Sequence, residues 1–423
     1  MEEKLIMEDE AIIEEILENG LKVYIHPKNK FVQSLASLQV NFGGRDYKYQ
    51  IADQDYTLPE GTAHFLEHML FENNGNTLSD FFIKNNADIN AFTSRRITSY
   101  YFSTQNNFDA LLASLLDNFI DYDFSEKTIK KERNIISQEL AMSDDSDEEK
   151  AYKSLLRLMY KDRSIYQDIG GSKTSIKSIN KAVLNQAVTH FYHPQNMSLL
   201  ITGNVNAIKV LELLKNHPFN TKKWQTYQPI KRMIDISDKS GRHFKKIKPN
   251  LDTNIVEIGV KIPEIVFRDK TLEHNLLTSP FFSLVFGNSS LLYRILKSKN
   301  LYNYSFSAAP VIEDDYGFFN ISIETKKPKL FIKTLMEYLT NLPELMLDEK
   351  VFKAYQRGEI GRSIKAFDDV KKTHYLVKKM LMDEVDIFSF VEKSKSIKLP
   401  DLQIYLDIFK KNNIYLVEYL QQP

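Results

Sequence analysis

Cysteine is absent from all 423 residues. That excludes disulfides, every cysteine-ligated zinc site and a thiol nucleophile. Net charge is absent too, because 56 Lys+Arg balance 56 Asp+Glu, so nothing suggests a nucleic-acid partner or an acidic membrane surface. No stretch approaches the roughly 18–20 apolar residues that span a bilayer. The opening MEEKLIMEDEAIIEEIL is acidic and lacks the basic start and apolar run of a secretory signal. A cytoplasmic protein without a membrane span is the expectation. Hydrophobic residues at 43% and charged residues at 26% are ordinary for a globular chain, and the length calls for at least two domains.

Asn19-Gly20 is a turn signal, and Leu21 to Ile25 after it alternates as a strand should. Leu35 to Phe42 alternates again, and a polar loop with Pro59 and Gly61 follows. Ile89 to Thr93 and Thr98 to Thr104 read as a hairpin pair. Apolar residues from Phe108 to Ile120 recur at helical spacing, and further helices are expected over Glu126 to Met142, after the acidic patch at 144–149, and over Ser178 to Tyr192. Met197 to Gly203 reads as a strand.

The second half repeats this order. A strand over Ile255 to Ile262 precedes helices near 270–284 and 289–299, then a hairpin over Tyr304 to Thr325 turning at Asp314-Asp315-Tyr316-Gly317. Helices from about Pro328 and Asp348 and a last strand, Ile414 to Tyr419, complete it. The expected fold is α+β, with two homologous half-domains that each pack helices on a largely antiparallel sheet. Residues 1–220 form the first half, 251–423 the second, and the lysine-rich 221–250 a linker.

The chemistry lies in Gly61-Thr62-Ala63-His64-Phe65-Leu66-Glu67-His68-Met69-Leu70, an H-x-x-E-H pattern. On a helix His64 and His68 share a face, and Glu67 borders it. Two imidazoles able to grip Zn²⁺ beside a carboxylate able to take a proton suit metal-assisted hydrolysis. Nine histidines and 56 acids in this length would give the pattern by chance roughly 0.025 times. The site needs a third ligand from another element. In the helix from Glu126, Glu132 and Glu139 are two turns apart and face the same way, so spacing leaves both as candidates. The stretch Phe281 to Phe286, corresponding in the second half, has no histidine. His26, His193 and His217 each precede a proline, and His190, His243, His274 and His374 have no partner at ligand spacing; none is expected to touch the metal.

GTAHFLEHMLFE, then NAFTS, YYF and KKERNIISQELAM, resembles the pitrilysin family of inverted-motif zinc peptidases, which includes insulin-degrading enzyme and the mitochondrial processing peptidase. The likeness is strongest to compact bacterial members and covers nearly all of residues 15–210. It implies Zn²⁺ held by His64, His68 and Glu139, with Glu132 supporting the site and Glu67 as general base. It also implies that Asn90, Ala91, Phe92 and Thr93 form a strand on which an extended peptide adds as a further strand. Where the family often has an arginine and, seven residues on, a tyrosine reaching over the substrate, this chain has Lys297 and Tyr304. Lysine lacks the bidentate fork of arginine. The resemblance implies an endopeptidase for peptides or extended segments, working as a dimer with an identical chain or a metal-free homologue. Leader-peptide removal or peptide turnover are the implied tasks. The alternative is a non-catalytic assembly or peptide-binding subunit.

Overall fold

The computed structural model describes residues 12–71, 78–160, 163–233, 243–248, 253–262, 272–313, 316–342, 349–383, 390–409 and 413–421. These form two units that are not contiguous in sequence. The first comprises Met1–Ser143, Gln167–Ile234 and Asp368–Lys378, and the second Asp144–Tyr166, Asp235–Phe367 and Lys379–Pro423.

The first unit holds strands β1 (Ile13–Ile16), β2 (Lys22–Pro27), β3 (Ser34–Val40), β4 (Lys48–Ile51), β5 (Gln54–Thr57), β6 (Asp88–Thr93), β7 (Thr98–Thr104), β8 (Met197–Gly203) and β9 (Ile230–Arg232). Six make one sheet in the order β1-β2-β8-β3-β7-β6, antiparallel except for β2 against β8, and β5-β4-β9 make a second. In the large sheet the central strands β8, β3 and β7 are largely buried on both faces. Its front is apolar: Ala36, Leu38 and Val40 of β3 and Tyr100 and Phe102 of β7 pack with Phe65, Leu66, Leu111, Leu112 and Phe191 of the helices Thr62–Phe71, Phe108–Asp117 and Lys181–Phe191. Its back mixes buried polar Ser37, Ser99 and Thr202 with buried Leu35 and Leu200. The helix Val370–Asp383 meets that side through His374, whose Nε2 lies 2.8 Å from Ser37 Oγ and whose Nδ1 lies 3.0 Å from Thr202 Oγ1.

The second unit holds β10 (Phe244–Ile247), β11 (Asn254–Lys261), β12 (Ser307–Ile312), β13 (Gly317–Thr325) and β14 (Ile414–Tyr419) in the order β10-β14-β11-β13-β12. Strand for strand this repeats β2-β8-β3-β7-β6, including the single parallel pair, here β10 with β14. The duplication expected from the repeated element order is therefore present in the sheet topology, and the α+β class holds.

An exchange accompanies the repeat. The helix Asp147–Met159 follows the long helix Glu126–Asp145 of the first half but belongs to the second unit, where Leu155, Leu156 and Met159 pack on Tyr316, Phe318, Tyr415 and Val417. A side chain at Gly259 would stand 2.4 Å from Met159 Sδ, so β11 needs glycine there. The helix Val370–Asp383 follows the long helix Glu349–Ala366 of the second half, and its residues to Lys378 belong to the first unit. Each unit thus includes a helical segment drawn from the other half of the sequence.

Three expectations need correcting. The loop before Pro59 contains the hairpin β4–β5. Residues 230–232 and 244–247, read as linker, are edge strands on β4 and β14. The helix corresponding to Thr62–Phe71 in the second half is Leu272–Phe286, longer than the stretch from Phe281, and its sequence includes His274; no second histidine follows it there. Of the expected turn at 314–317, Asp314 and Asp315 lie outside the described residues. No described helix is long and apolar enough to cross a membrane.

Candidate metal centre

The helix Thr62–Phe71 buries Thr62, Ala63, Phe65, Leu66, Met69 and Leu70, leaving His64, Glu67 and His68 on the partly open side. Its start is fixed by Gly61, whose φ of +89° suits glycine and whose added side chain would stand 2.3 Å from the Gly170 carbonyl oxygen. Gly170 and Gly171 therefore pack against the entrance to this helix. At the other end, Asn118 Nδ2 donates to the Leu70 carbonyl at 2.5 Å.

The helix Glu126–Asp145 buries Ile129, Glu132, Ile136 and Leu140, while Ile135 stays half-buried. Arg133 ties it down by donating to the Ile176 and Ile179 carbonyls at 3.3 and 2.8 Å. Glu139 projects from the same helix one turn beyond Ile136, with its side chain 46% exposed. Its Oε2 lies 3.8 Å from His64 Nε2 and 3.6 Å from His68 Nε2. Both distances are too long for hydrogen bonds. They are close to the separation of about 3.4 Å between neighbouring ligands on a tetrahedral zinc with bonds near 2.1 Å. One donor atom from each of His64, His68 and Glu139 falls within 4.8 Å of the others, the only such trio of metal-binding side chains among the described residues.

The surroundings suit a cation. Burial, with His68 close by, lowers the pKa of His64 to about 4, so its imidazole is neutral and has a lone pair to give. His64 Nδ1 is buried and has no hydrogen-bond partner among the described residues. His68 differs: although burial opposes its protonated form, the Glu132 hydrogen bond and the charges of Glu139 and Glu67 raise its pKa. Glu132 is 1% exposed, and its Oε2 lies 3.3 Å from His68 Nδ1. That bond holds the ring with Nε2 toward Glu139.

Glu67 occupies the same side of its helix. Burial raises its pKa, and the Thr93 hydroxyl, donating to Oε2 at 2.6 Å, opposes the rise. Thr93 ends β6, the edge strand of the large sheet. Along β6, Ile89 and Ala91 pack against the apolar core, whereas Asp88, Asn90 and Phe92 are exposed. The Ala91 amide donates to its neighbour's Asn90 Oδ1 at 2.8 Å.

Lys297 and Tyr304 belong to the second unit. Lys297 Nζ lies over the Tyr293 and Tyr302 rings, 4.8 and 6.0 Å from their centroids, and Tyr304 is fully exposed. Three of the other histidines, His193, His217 and His190, serve the fold. His193 and His217 accept the amides of Gln195 and Phe219 through Nδ1, each at 3.2 Å, capping short helices that begin with the following proline. His190 Nδ1 lies 2.7 Å from the Tyr49 hydroxyl. The contact between Thr93 and Glu67 escapes the sequence reading, which takes Thr93 only as part of a peptide-binding strand. Its signal is the alternation of β6, which puts Thr93 on the same face as Ile89 and Ala91.

Residues 25–172 match the family profile described as insulinase (peptidase family M16), and residues 178–359 match the one described as peptidase M16 inactive domain. The chain is 31% identical over 399 residues to YmfH of Bacillus subtilis, described as an uncharacterized zinc protease, covering 93% of this chain and 92% of that protein. Among solved structures, an M16-like peptidase from Alicyclobacillus acidocaldarius superposes with a TM-score of 0.90 at 23% identity, covering 98% of this chain and 99% of that one. The periplasmic protease PqqL from Escherichia coli superposes with a TM-score of 0.77 at 19% identity, over 97% of this chain and 47% of PqqL. These two structural likenesses bear on the fold alone.

Proposed function

The chain belongs to the insulinase family, peptidase family M16, and from that premise we propose that it is a zinc endopeptidase for peptides or extended segments. The observation that carries the reading is the convergence of His64, His68 and Glu139 at metal-ligand spacing, with Glu67 on the same helix. His64 Nε2, His68 Nε2 and a Glu139 carboxylate oxygen would hold the ion. Zinc, when bound, would supply a Lewis acid for the scissile carbonyl and would lower the pKa of its water toward about 7.

The chain's own residues do the rest. Glu67 takes a proton from the attacking water and passes it to the leaving amine. Thr93 engages Oε2 of Glu67, which leaves Oε1 to carry that proton. Glu132 fixes the tautomer and orientation of His68 through Nδ1. The free edge of β6 takes the peptide as an added strand, where main-chain bonds give affinity and alternate side chains find pockets. Tyr304 and Lys297, on the other unit, act on substrate in a dimer formed with an identical chain or a metal-free homologue. A cytoplasmic location is part of this proposal.

The test is cleavage of a quenched peptide library by zinc-loaded protein. Wild type is expected to cleave extended peptides, and Glu67→Gln to lose at least a hundredfold of that rate. Equal cleavage by Glu67→Gln would overturn the reading.

A further inference from the structure

Behind β6, on the side away from Glu67, lies a cavity of about 750 Å³ within the first unit. Its walls include Ile83, Asn90, Phe92, Tyr101, Tyr375 and Lys378. The volume exceeds any single side chain, and nothing in the scheme above uses it.

Its distinctive member is Lys378. The ammonium sits 4.5 Å from the centroid of the Phe92 ring and donates to Ser99 Oγ at 3.2 Å. No carboxylate among the described residues pairs with it, although Asp88 lines the same cavity. Burial lowers its pKa to about 8, so most of it is still charged at neutral pH. A half-buried cation held by one hydroxyl and a ring face has no counter-charge among the described residues, and an incoming carboxylate would supply one.

Strand geometry says what can bring that carboxylate. Residues opposite each other on neighbouring strands turn their side chains to the same face. A peptide added to β6 therefore points the residues paired with Thr93 and Ala91 toward the Glu67 side. Those paired with Phe92 and Asn90, one and three positions away from Thr93, point into the cavity. Resting on the proposed strand addition, we infer that the cavity behind β6 is a specificity subsite that takes an aspartate or glutamate side chain of the bound peptide, with Lys378 as its cation.

The experiment measures peptide binding without turnover. Zinc-loaded Glu67→Gln protein is titrated, by fluorescence anisotropy, with end-capped peptides that differ only by Glu against Gln at successive positions. At one register the Glu peptide is expected to bind about tenfold more tightly, the scale of one charge-assisted hydrogen bond. Adding Lys378→Gln should bring the ratio within twofold. Lys378→Arg should keep it, and Lys378→Glu should reverse it in favour of a Lys-bearing peptide. A Glu-to-Gln ratio unchanged by Lys378→Gln, or no peptide bound at any register, overturns the subsite. Binding without a Glu preference sinks this inference while leaving the peptidase reading intact. A Lys378-dependent preference in peptides that wild type never cleaves does the reverse.

Discussion

The hydroxyl of Thr93 donates to Oε2 of Glu67 at 2.6 Å, joining the last residue of an edge strand to the carboxylate between two histidines. This contact links the strand proposed to receive substrate to the group proposed to move the proton. Thr93→Val removes the donor and keeps the shape. It should lower kcat roughly tenfold with little change in KM and none in zinc content. Thr93→Ser should restore most of the rate, and steady-state kinetics of the three proteins decide it.

Glu132 is buried behind His68 and has no path to substrate in this scheme, so its effect should appear in metal affinity. Glu132→Ala should weaken zinc binding by about 10–100-fold, as for other carboxylates that orient a ligating histidine. Chelator competition measures this directly. Unaltered affinity would mean that His68 is oriented without Glu132.

Glu257 on β11 is 3% exposed, and its Oε1 accepts from Ser322 at 2.5 Å. Burial raises its pKa to about 7 against an ordinary 4.5, with Ser322 and Asn320 opposing the rise. A carboxyl raised on folding binds its proton more tightly in the native state. Its contribution therefore favours folding below pH 4.5 and is lost as pH rises toward 7, by up to roughly 3 kcal/mol. Glu257→Gln should raise Tm at pH 8 and leave it nearly unchanged at pH 4.5. Differential scanning calorimetry at the two pH values checks this.

His374 has the opposite slope. Burial, then the charge of Lys378 and the nearby His26, lowers its pKa to about 3 from 6.5. Its neutral ring is favoured by folding, so the stability it contributes is present above pH 6.5 and lost as pH falls toward 3. From pH 6.5 to 5 the loss should reach about 2 kcal/mol. His374→Gln should flatten that part of the urea-denaturation profile.

The helix of the candidate metal centre was legible because its pattern is local. H-x-x-E-H puts three candidate side chains on one side of a single helix, and the two-turn spacing of Glu132 and Glu139 offers two more candidates on another. The duplicated strand order was legible because each strand alternates or is apolar in its own right. The hairpin β4–β5 was not, since its turn uses Ala52 and Asp53 at φ of 48° and 61°, where Asn-Gly is the usual signal. Strands β9 and β10 read Ile-Lys-Arg and Phe-Lys-Lys-Ile and look like polar linker because only an edge pairing makes them strands. The helix exchange is tertiary: Leu155 to Met159 look as apolar as any core helix, and nothing local says which sheet they cover. Lys378 was missed for the same reason, because its partners Phe92 and Ser99 lie more than 270 residues away.

The central claim is one zinc centre built from His64, His68 and Glu139, and metal analysis of purified, zinc-reconstituted protein tests it without relying on activity. The account predicts one zinc per chain in wild type and in Glu67→Gln, and none in the His64→Ala/His68→Ala double variant, with Glu139→Gln sharply reduced. No zinc in wild type, or one zinc retained by the double variant, would contradict it.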